Sequence, residues 1–217
     1  MNDFKKALQK FDINASELES TEICDQIQRY CILLWHKNQQ MNLTRHTDWE
    51  TFVKRDLVDT LQLSALIEQN SDLLDIGSGG GVPGMLLAII RPDLNVSLTD
   101  SVGKKAKALA EFAERLELNV NIFQERAENI LVDFRYDFVT ARAVGSLSKL
   151  ATWLENCWIN FNCLLATKGP NWENERNEAM TAGLLNSVDI QVATEYPTPG
   201  EERKSYILKL SAKRAPE

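Results

Sequence analysis

Residues 73–84 read LLDIGSGGGVPG, in which an apolar run and an aspartate lead into a dense group of glycines. Glycine is costly inside a strand or a helix because it loses the most conformational freedom on folding. An ordinary turn needs one such residue, whereas this stretch has several within a few positions. The stretch therefore predicts a turn between a strand and a helix where the backbone closely approaches a small molecule.

After Asn70, short apolar runs alternate with helical stretches. This alternation is typical of βαβ units and a parallel sheet. Strands are predicted at 73–76, 95–100, 119–124, 136–141 and 161–167. The last two apolar runs, VDIQVATEY and RKSYILKL, are separated by PTPGEE, which predicts an antiparallel hairpin. The expected fold class is α/β, with a mostly parallel seven-stranded sheet that ends in this hairpin.

The residues before the glycine-rich stretch are predicted to be helical. Ser16 and Glu19 have the spacing of a capping box, and apolar residues then recur at helical spacing over about 17–38. Thr47 and Glu50 repeat the box spacing at the start of a second predicted helix.

The length and composition bound the protein class. A chain of 217 residues with 44% hydrophobic residues can bury a sizeable core. We expect one domain over 1–217, in which a helical segment, 1–70, precedes an α/β core, 71–217. No apolar stretch reaches membrane-spanning length and the start has no signal-peptide core, so a cytoplasmic protein without membrane contact is expected. The four cysteines form no CxxC pair, so reduced thiols and no metal site are expected.

The charge distribution bears on possible partners. The net charge of −7 argues mildly against nucleic acid as a partner. Basic residues are nevertheless concentrated in two places, one at Lys104, Lys105 and Lys107 and the other over 203–217. Lysines at a helix start oppose the helix dipole, which indicates an anionic partner such as RNA phosphate, and a merely solvated helix face is the alternative.

The glycine spacing leaves two kinds of nucleotide site open. Gly79, Gly81 and Gly84 match GxGxxG, a weak signal for a dinucleotide site. Asp75 precedes these glycines, and an acidic group suits a cationic amino group better than a pyrophosphate. Asp100 ends the next predicted strand, where an acid can accept two ribose hydroxyls in either kind of site.

Longer segments resemble one family. They are NLT (42–44), RDLVDTL (55–61), DIGSGGGVPGMLLAIIRPD (75–93), LTDSVGKKAKAL (98–109), ERAEN (125–129) and TARAVGSL (140–147). In this order they resemble the bacterial small-subunit ribosomal RNA guanine-N7 methyltransferases, the glucose-inhibited division protein B family. The resemblance implies the Rossmann-like fold of class I S-adenosylmethionine-dependent methyltransferases. It also implies S-adenosyl-L-methionine as cofactor and 16S ribosomal RNA, or a small-subunit assembly intermediate, as partner of a monomer.

The resemblance also implies site residues. Gly77, Gly79 and Val82 would line the methionine and ribose end of the cofactor, and Asp100 would bind the ribose hydroxyls. Ala127 and Glu128 would face the adenine, and Arg142 would close the site, although a structural ion pair is an alternative for Arg142. One departure is that Asp56 stands where the family usually has a histidine.

The sequence lacks two catalytic devices of other methyltransferases. It has neither an indicated cysteine nucleophile nor an Asn/Asp-Pro-Pro-aromatic corner after the fourth strand, where it reads ARAVGS. Guanine N7 carries an exposed lone pair, so no general base is needed for its methylation. A small-molecule methyltransferase and a non-catalytic module that binds S-adenosylmethionine or RNA remain alternatives. Trp172, in the polar run GPNWENER, is a further candidate for contact with a base.

Overall fold

A seven-stranded sheet organises the computed structural model, which describes residues 3–14, 16–18 and 20–213. Its strands are β1 (Asp72–Ile76), β2 (Asn95–Thr99), β3 (Asn121–Phe123), β4 (Tyr136–Arg142), β5 (Phe161–Lys168), β6 (Val188–Pro197) and β7 (Lys204–Ala212). The order across the sheet is β3-β2-β1-β4-β5-β7-β6. The first five strands are parallel, and β7 pairs antiparallel with both β5 and β6. The predicted α/β sheet with its final hairpin is confirmed.

The sheet is buried on both faces. Leu73 and Leu74 are both fully buried, but Leu73 packs into one apolar cluster and Leu74 into the other. Ile207 and Leu208 divide in the same way at the antiparallel end. Successive side chains of a strand point to opposite faces, so continuous apolar runs such as these indicate a sheet covered on both sides.

Helices alternate with the parallel strands. They are α5 (Gly84–Ile90), α6 (Gly103–Leu116), α7 (Ala127–Asp133), α8 (Leu147–Trp153) and α9 (Trp172–Thr181). The apolar residues of α5 and α6 belong to the first cluster, and those of α7, α8 and α9 to the second. The carboxyl ends of the parallel strands therefore open onto one edge, where ligands bind in sheets of this kind.

The chain before β1 is helical, as expected. It forms α1 (Asp3–Lys10), a 3-10 turn (Ser16–Leu18), α2 (Thr21–Asn38), α3 (Trp49–Thr51), a π-helical stretch (Phe52–Leu57) and α4 (Val58–Ser64). The buried side chains of α2 join the first apolar cluster. The hydroxyl of Tyr30, fully buried on α2, donates to the carbonyl of Gly80 at 2.8 Å. This helix thus supports the glycine-rich turn directly.

The predicted start of the first long helix was wrong, as was the predicted cap of the helix that begins near Asp48. Ser20, whose hydroxyl accepts from Ile23 N at 3.4 Å, caps α2, which begins at Thr21 rather than near Glu17. Glu19, half of the first predicted capping box, lies outside the described residues. The second helix is capped by Asp48, whose Oδ1 accepts from Thr51 N at 2.8 Å. A carboxylate one position later thus replaces the predicted threonine cap.

Candidate functional site

The turn between β1 and α5 is held by one buried carboxylate. Asp75 is 1% exposed, and its Oδ1 accepts from the hydroxyl of Thr140 on β4 at 2.8 Å. Its Oδ2 accepts from Gly84 N, the first residue of α5, at 3.3 Å. A Cβ at Gly84 would lie 2.7 Å from that carboxylate, so position 84 requires glycine. The expectation that Asp75 faces a ligand's amino group was wrong, because its carboxylate is used inside the turn.

Burial changes the ionisation of Asp75. Desolvation raises its pKa to about 6, although the hydrogen bonds from Ser78, Thr140 and Gly84 act in the opposite direction. The charged carboxylate is therefore disfavoured in the folded protein relative to the unfolded chain.

A cavity of about 260 Å³ lies beside this turn. Gly77 forms part of its wall with a φ of +63°, and a Cβ there would lie 2.9 Å from Cγ1 of Val144. Asp100 forms another part, where its Oδ2 accepts from Gly79 N at 3.0 Å and its Oδ1 from Val102 N at 2.8 Å. Each oxygen keeps a further lone pair with which it can accept a ligand hydroxyl.

The predicted site residues divide between two places. Four of the seven, Gly77, Asp100, Ala127 and Glu128, line the smaller cavity. Gly79 adjoins it through its bond to Asp100. Val82 is half-buried against the apolar core. Arg142 lines a different cavity, which is described next.

The second cavity, of about 610 Å³, lies at the ends of β4 and β5. Val144 lines both cavities, so they adjoin at this residue. Polar residues dominate the second cavity; they are Arg45, His46, Arg55, Asp59, Arg142, Thr167, Lys168, Glu175, Arg203 and Ser205. Such a lining suits a polar, anionic ligand.

Arg142 is held by two carboxylates from the helical segment. Its Nη2 lies 2.6 Å from Asp56 Oδ1, and its Nε lies 2.8 Å from Asp59 Oδ2. Burial alone would lower the pKa of Arg142, but these carboxylates raise it above its usual value. The phenol of Tyr196 donates to the other oxygen of Asp59 at 2.8 Å. The structural ion pair considered for Arg142 is therefore present, and its Nη1 has no hydrogen bond among the described residues.

Asp56 and His46 form a second pair next to Arg142. Asp56 Oδ1, which already accepts from Arg142, lies 2.8 Å from Nδ1 of His46. The Oδ2 of Asp56 is buried without a partner among the described residues. The chain therefore has an imidazole in this region even though position 56 is an aspartate. Asp56 belongs to the π-helical stretch, a local geometry that is frequent at functional sites.

Several residues of the two cavities were missed from sequence. Trp153 lines the smaller cavity, although no sequence motif pointed to it. Lys168, Glu175 and Arg203 line the larger cavity. Lys168 directly follows a predicted strand and Arg203 begins the predicted basic region, whereas no local signal marked Glu175. Trp172, singled out as a base-contact candidate, is instead buried and lies 5.9 Å from the ring of Tyr206.

The predicted basic regions are only partly described. Lys104 and Lys107 are exposed on α6, and Lys105 Nζ lies 3.9 Å from Asp100 Oδ2 at the rim of the smaller cavity. The end of the second region, 214–217, lies outside the described residues. Contact of these lysines with RNA stays a prediction.

Two features are absent from the described part of the chain, a metal-binding cluster and a membrane-spanning helix. No group of three or more His, Cys, Asp or Glu side chains is placed to hold a metal ion there. No helix in that part is both long and apolar enough to cross a membrane.

Comparison with known proteins adds an independent result. Residues 23–203 match the family model described as rRNA small subunit methyltransferase G. The ribosomal RNA small subunit methyltransferase G of Rhodopirellula baltica is 46% identical over 195 residues, 90% of this chain and 83% of that protein. The protein of the same name from Lactococcus lactis is 35% identical over 212 residues, 93% of this chain and 87% of that protein.

A solved structure agrees in fold alone. A mutant of MtNAS in complex with S-adenosylmethionine has a TM-score of 0.59 and 16% identity, and the alignment covers 97% of this chain and 84% of that one. The predicted class I methyltransferase fold is thereby confirmed.

The raised pKa of Asp75 predicts a pH-dependent stability that Asp75→Asn removes. Because the folded protein binds the Asp75 proton more tightly than the unfolded chain, this proton stabilises the fold at low pH and the effect is lost as the pH rises through about 6. The free energy of unfolding of the wild type, minus that of Asp75→Asn, should fall by on the order of 3 kcal/mol between about pH 4 and about pH 7. Urea unfolding at several pH values measures it, and a difference that does not vary with pH contradicts the assignment.

Arg142→Ala is expected to lower the free energy of unfolding by about 3 to 5 kcal/mol, because it leaves two buried carboxylates without their cation. Further replacement of Asp56 and Asp59 by asparagine should recover much of the loss. The matched control is Arg126→Ala, whose side chain is 67% exposed and which should change stability by at most about 1 kcal/mol. Chemical denaturation of the variants decides the matter, and an Arg142→Ala protein as stable as the control would show that the network contributes little.

Proposed function

The chain belongs to the rRNA small subunit methyltransferase G family, and on that premise we propose that it transfers the methyl group of S-adenosylmethionine to N7 of a guanine in 16S ribosomal RNA. The observation that carries this proposal is the pair of cavities that meet at Val144. A methyltransferase must bring two ligands together, and the two spaces available for them share Val144 as a lining residue.

The smaller cavity fits the cofactor. A Cβ at Gly77 would lie 2.9 Å from Cγ1 of Val144, so the packing of this wall requires glycine, and the bare backbone lines the cavity. Asp100 has free lone pairs for the ribose hydroxyls, while Ala127 and Glu128 would flank the adenine. Gly79 and Val82 would support the turn that holds the methionine end. When bound, S-adenosylmethionine supplies an electrophilic methyl group on its sulfonium.

Positive charge at the larger cavity fits RNA. Arg45 and Arg203 are exposed at this cavity and have no salt-bridge partner among the described residues. Arg55 also lines it, but is paired with Glu201 at 2.6 Å. Guanidinium groups are suited to phosphate. A protein with a net charge of −7 can therefore bind RNA through this local surface.

The chemistry requires little of the protein beyond orientation. Guanine N7 carries its lone pair at neutral pH, so no side chain has to remove a proton before attack. Holding the base near the cofactor can supply up to about 7 to 11 kcal/mol of catalysis in favourable cases. Arg142, fixed by Asp56 and Asp59, would close the site with the free Nη1 edge of its guanidinium.

The biological setting of the proposal follows from its substrate. Ribosomal RNA, free or in a small-subunit assembly intermediate, is the proposed partner, and the cytoplasm is the proposed location. A monomer is the proposed oligomeric state. Family membership favours this function over a small-molecule methyltransferase and over a non-catalytic binding module.

Gly77→Val tests the cofactor site. The new side chain would clash with Val144 and occupy space in the cavity. Binding of S-adenosylhomocysteine should therefore weaken by at least about 100-fold, because the ligand and the valine side chain compete for the same space. Gly183→Ala is the matched control, because Gly183 also has a positive φ, +75°, but lies in the turn after α9. Calorimetry measures both variants and the wild type. Wild-type binding of NAD in preference to S-adenosylhomocysteine would contradict the proposal.

The product tests the acceptor atom. Methylation at N7 places a positive charge on the imidazole ring of guanine, which makes the RNA cleavable by aniline after mild reduction. Because no base has to titrate, the rate should be nearly constant from about pH 7 to about pH 9. The measurement uses labelled S-adenosylmethionine and 16S ribosomal RNA from cells that lack the modification. Labelled RNA that resists scission would rule out N7.

A further inference from the structure

We propose that the ion pair of Lys168 and Glu175 in the larger cavity recognises guanine by its O6 and N1–H groups. This inference rests on the proposed function, because it concerns the base that the same site methylates. It identifies two substrate-contacting residues that neither the sequence motifs nor the family resemblance singled out for this role.

The position of the pair suits a target base. Lys168 ends β5, one residue beyond Thr167, which is the register partner of Arg142 on β4. Glu175 lies on α9 and reaches back to the same edge of the sheet. Both residues line the larger cavity, which shares Val144 with the smaller one.

The geometry of the pair leaves hydrogen-bonding capacity for a ligand. Lys168 is 9% exposed, and its ammonium donates to Gly145 O at 2.6 Å and to Glu175 Oε2 at 2.7 Å. An ammonium has three protons, so one remains. Glu175 Oε2 also accepts from Leu147 N at 3.0 Å, whereas its Oε1 has no hydrogen bond among the described residues.

A second polar group in the same wall lacks a partner. The hydroxyl of Thr167 is buried and makes no hydrogen bond within the described residues. Buried polar groups are nearly always paired, so this hydroxyl is an exception. Because it is buried, the groups of this wall that are open to a ligand are the third proton of Lys168 and Oε1 of Glu175.

The donor and acceptor of the ion pair complement the hydrogen-bonding groups of guanine but not those of adenine. Guanine presents an acceptor, O6, next to a donor, N1–H, whereas adenine presents a donor at position 6 and an acceptor at N1. An ammonium beside a carboxylate complements the first pattern and meets like groups in the second. Recognition at this edge also leaves N7, on the other ring of the base, free to face the cofactor.

The same contact should strengthen during the reaction. Methylation places positive charge on the base, which makes N1–H a stronger donor to the carboxylate of Glu175. Interactions that are stronger in the transition state than in the ground state raise kcat. Loss of Glu175 should therefore lower kcat as well as selectivity.

The test uses the whole protein and three RNAs. Once the methylated guanine has been located, 16S ribosomal RNA is prepared by splinted ligation with guanosine, inosine or 2,6-diaminopurine at that position. Inosine keeps O6 and N1–H, whereas 2,6-diaminopurine has an amino group at position 6 and an acceptor at N1. The wild type should methylate inosine within about 5-fold of guanosine and 2,6-diaminopurine about 10- to 100-fold more slowly.

Glu175→Gln replaces the carboxylate that would accept a hydrogen bond from N1–H by an amide of the same shape. The amide can donate to N1 of 2,6-diaminopurine, so the preference for inosine over 2,6-diaminopurine should fall about 10-fold. Glu178→Gln, exposed on the same helix, is the matched control and should keep the wild-type preference. A purely structural role for Glu175 would slow both RNAs equally and leave their ratio unchanged.

The outcomes separate the two proposals. A wild type that binds S-adenosylhomocysteine but leaves N7 of natural RNA unmethylated would defeat the proposed function. A wild type that methylates guanosine and 2,6-diaminopurine equally well would overturn only the role of the ion pair, without relying on any variant. An unchanged ratio in Glu175→Gln would overturn it too.

Discussion

The buried carboxylate of Asp75 joins the three elements on which the site depends. It links the end of β1 to Thr140 on β4 and to the first amide of α5, at 2.8 and 3.3 Å. The glycine turn between these elements is supported from the other side by Tyr30. The wall of the smaller cavity at Gly77 is therefore fixed by contacts made within the sheet and the helical segment. Desolvation of this carboxylate raises its pKa to about 6 and lowers the free energy of unfolding at neutral pH. Favourable contacts elsewhere in the fold offset this loss.

The charges of the larger cavity show how an acidic protein can handle RNA. Arg142 is paired with Asp56 and Asp59, and Arg55 is paired with Glu201. These two arginines therefore stabilise the cavity wall and add no unpaired positive charge to it. Among the described residues that line this cavity, Arg45 and Arg203 at the rim have no salt-bridge partner and are proposed to bind phosphate. Phosphate contacts position a nucleic acid, whereas contacts to base edges specify it. In the proposed complex the two tasks would fall to different residues, phosphate binding to the rim arginines and base recognition to the buried Lys168 and the half-buried Glu175.

The sequence predicted the sheet well because apolar runs and glycine spacing are local signals. Ser20 and Asp48 replaced the predicted helix caps because several neighbouring side chains could serve as caps and packing chose between them. Asp75 was placed correctly but given the wrong contact, since sequence does not show which way a carboxylate turns. Glu175 could not be found at all, because it reaches the site only through the packing of α9 against the strand ends. The nearness of His46 to Asp56 is likewise a tertiary contact, between residues ten positions apart.

The proposed function assigns the cofactor to one cavity and the base to the adjoining cavity. A crystal structure of the complex with S-adenosylhomocysteine distinguishes the two cavities. Adenosine is expected in the smaller cavity, with the ribose hydroxyls on Asp100 and the sulfur next to Val144, facing the larger cavity. Adenosine in the larger cavity, against Lys168 and Glu175, would show that the assignment is wrong.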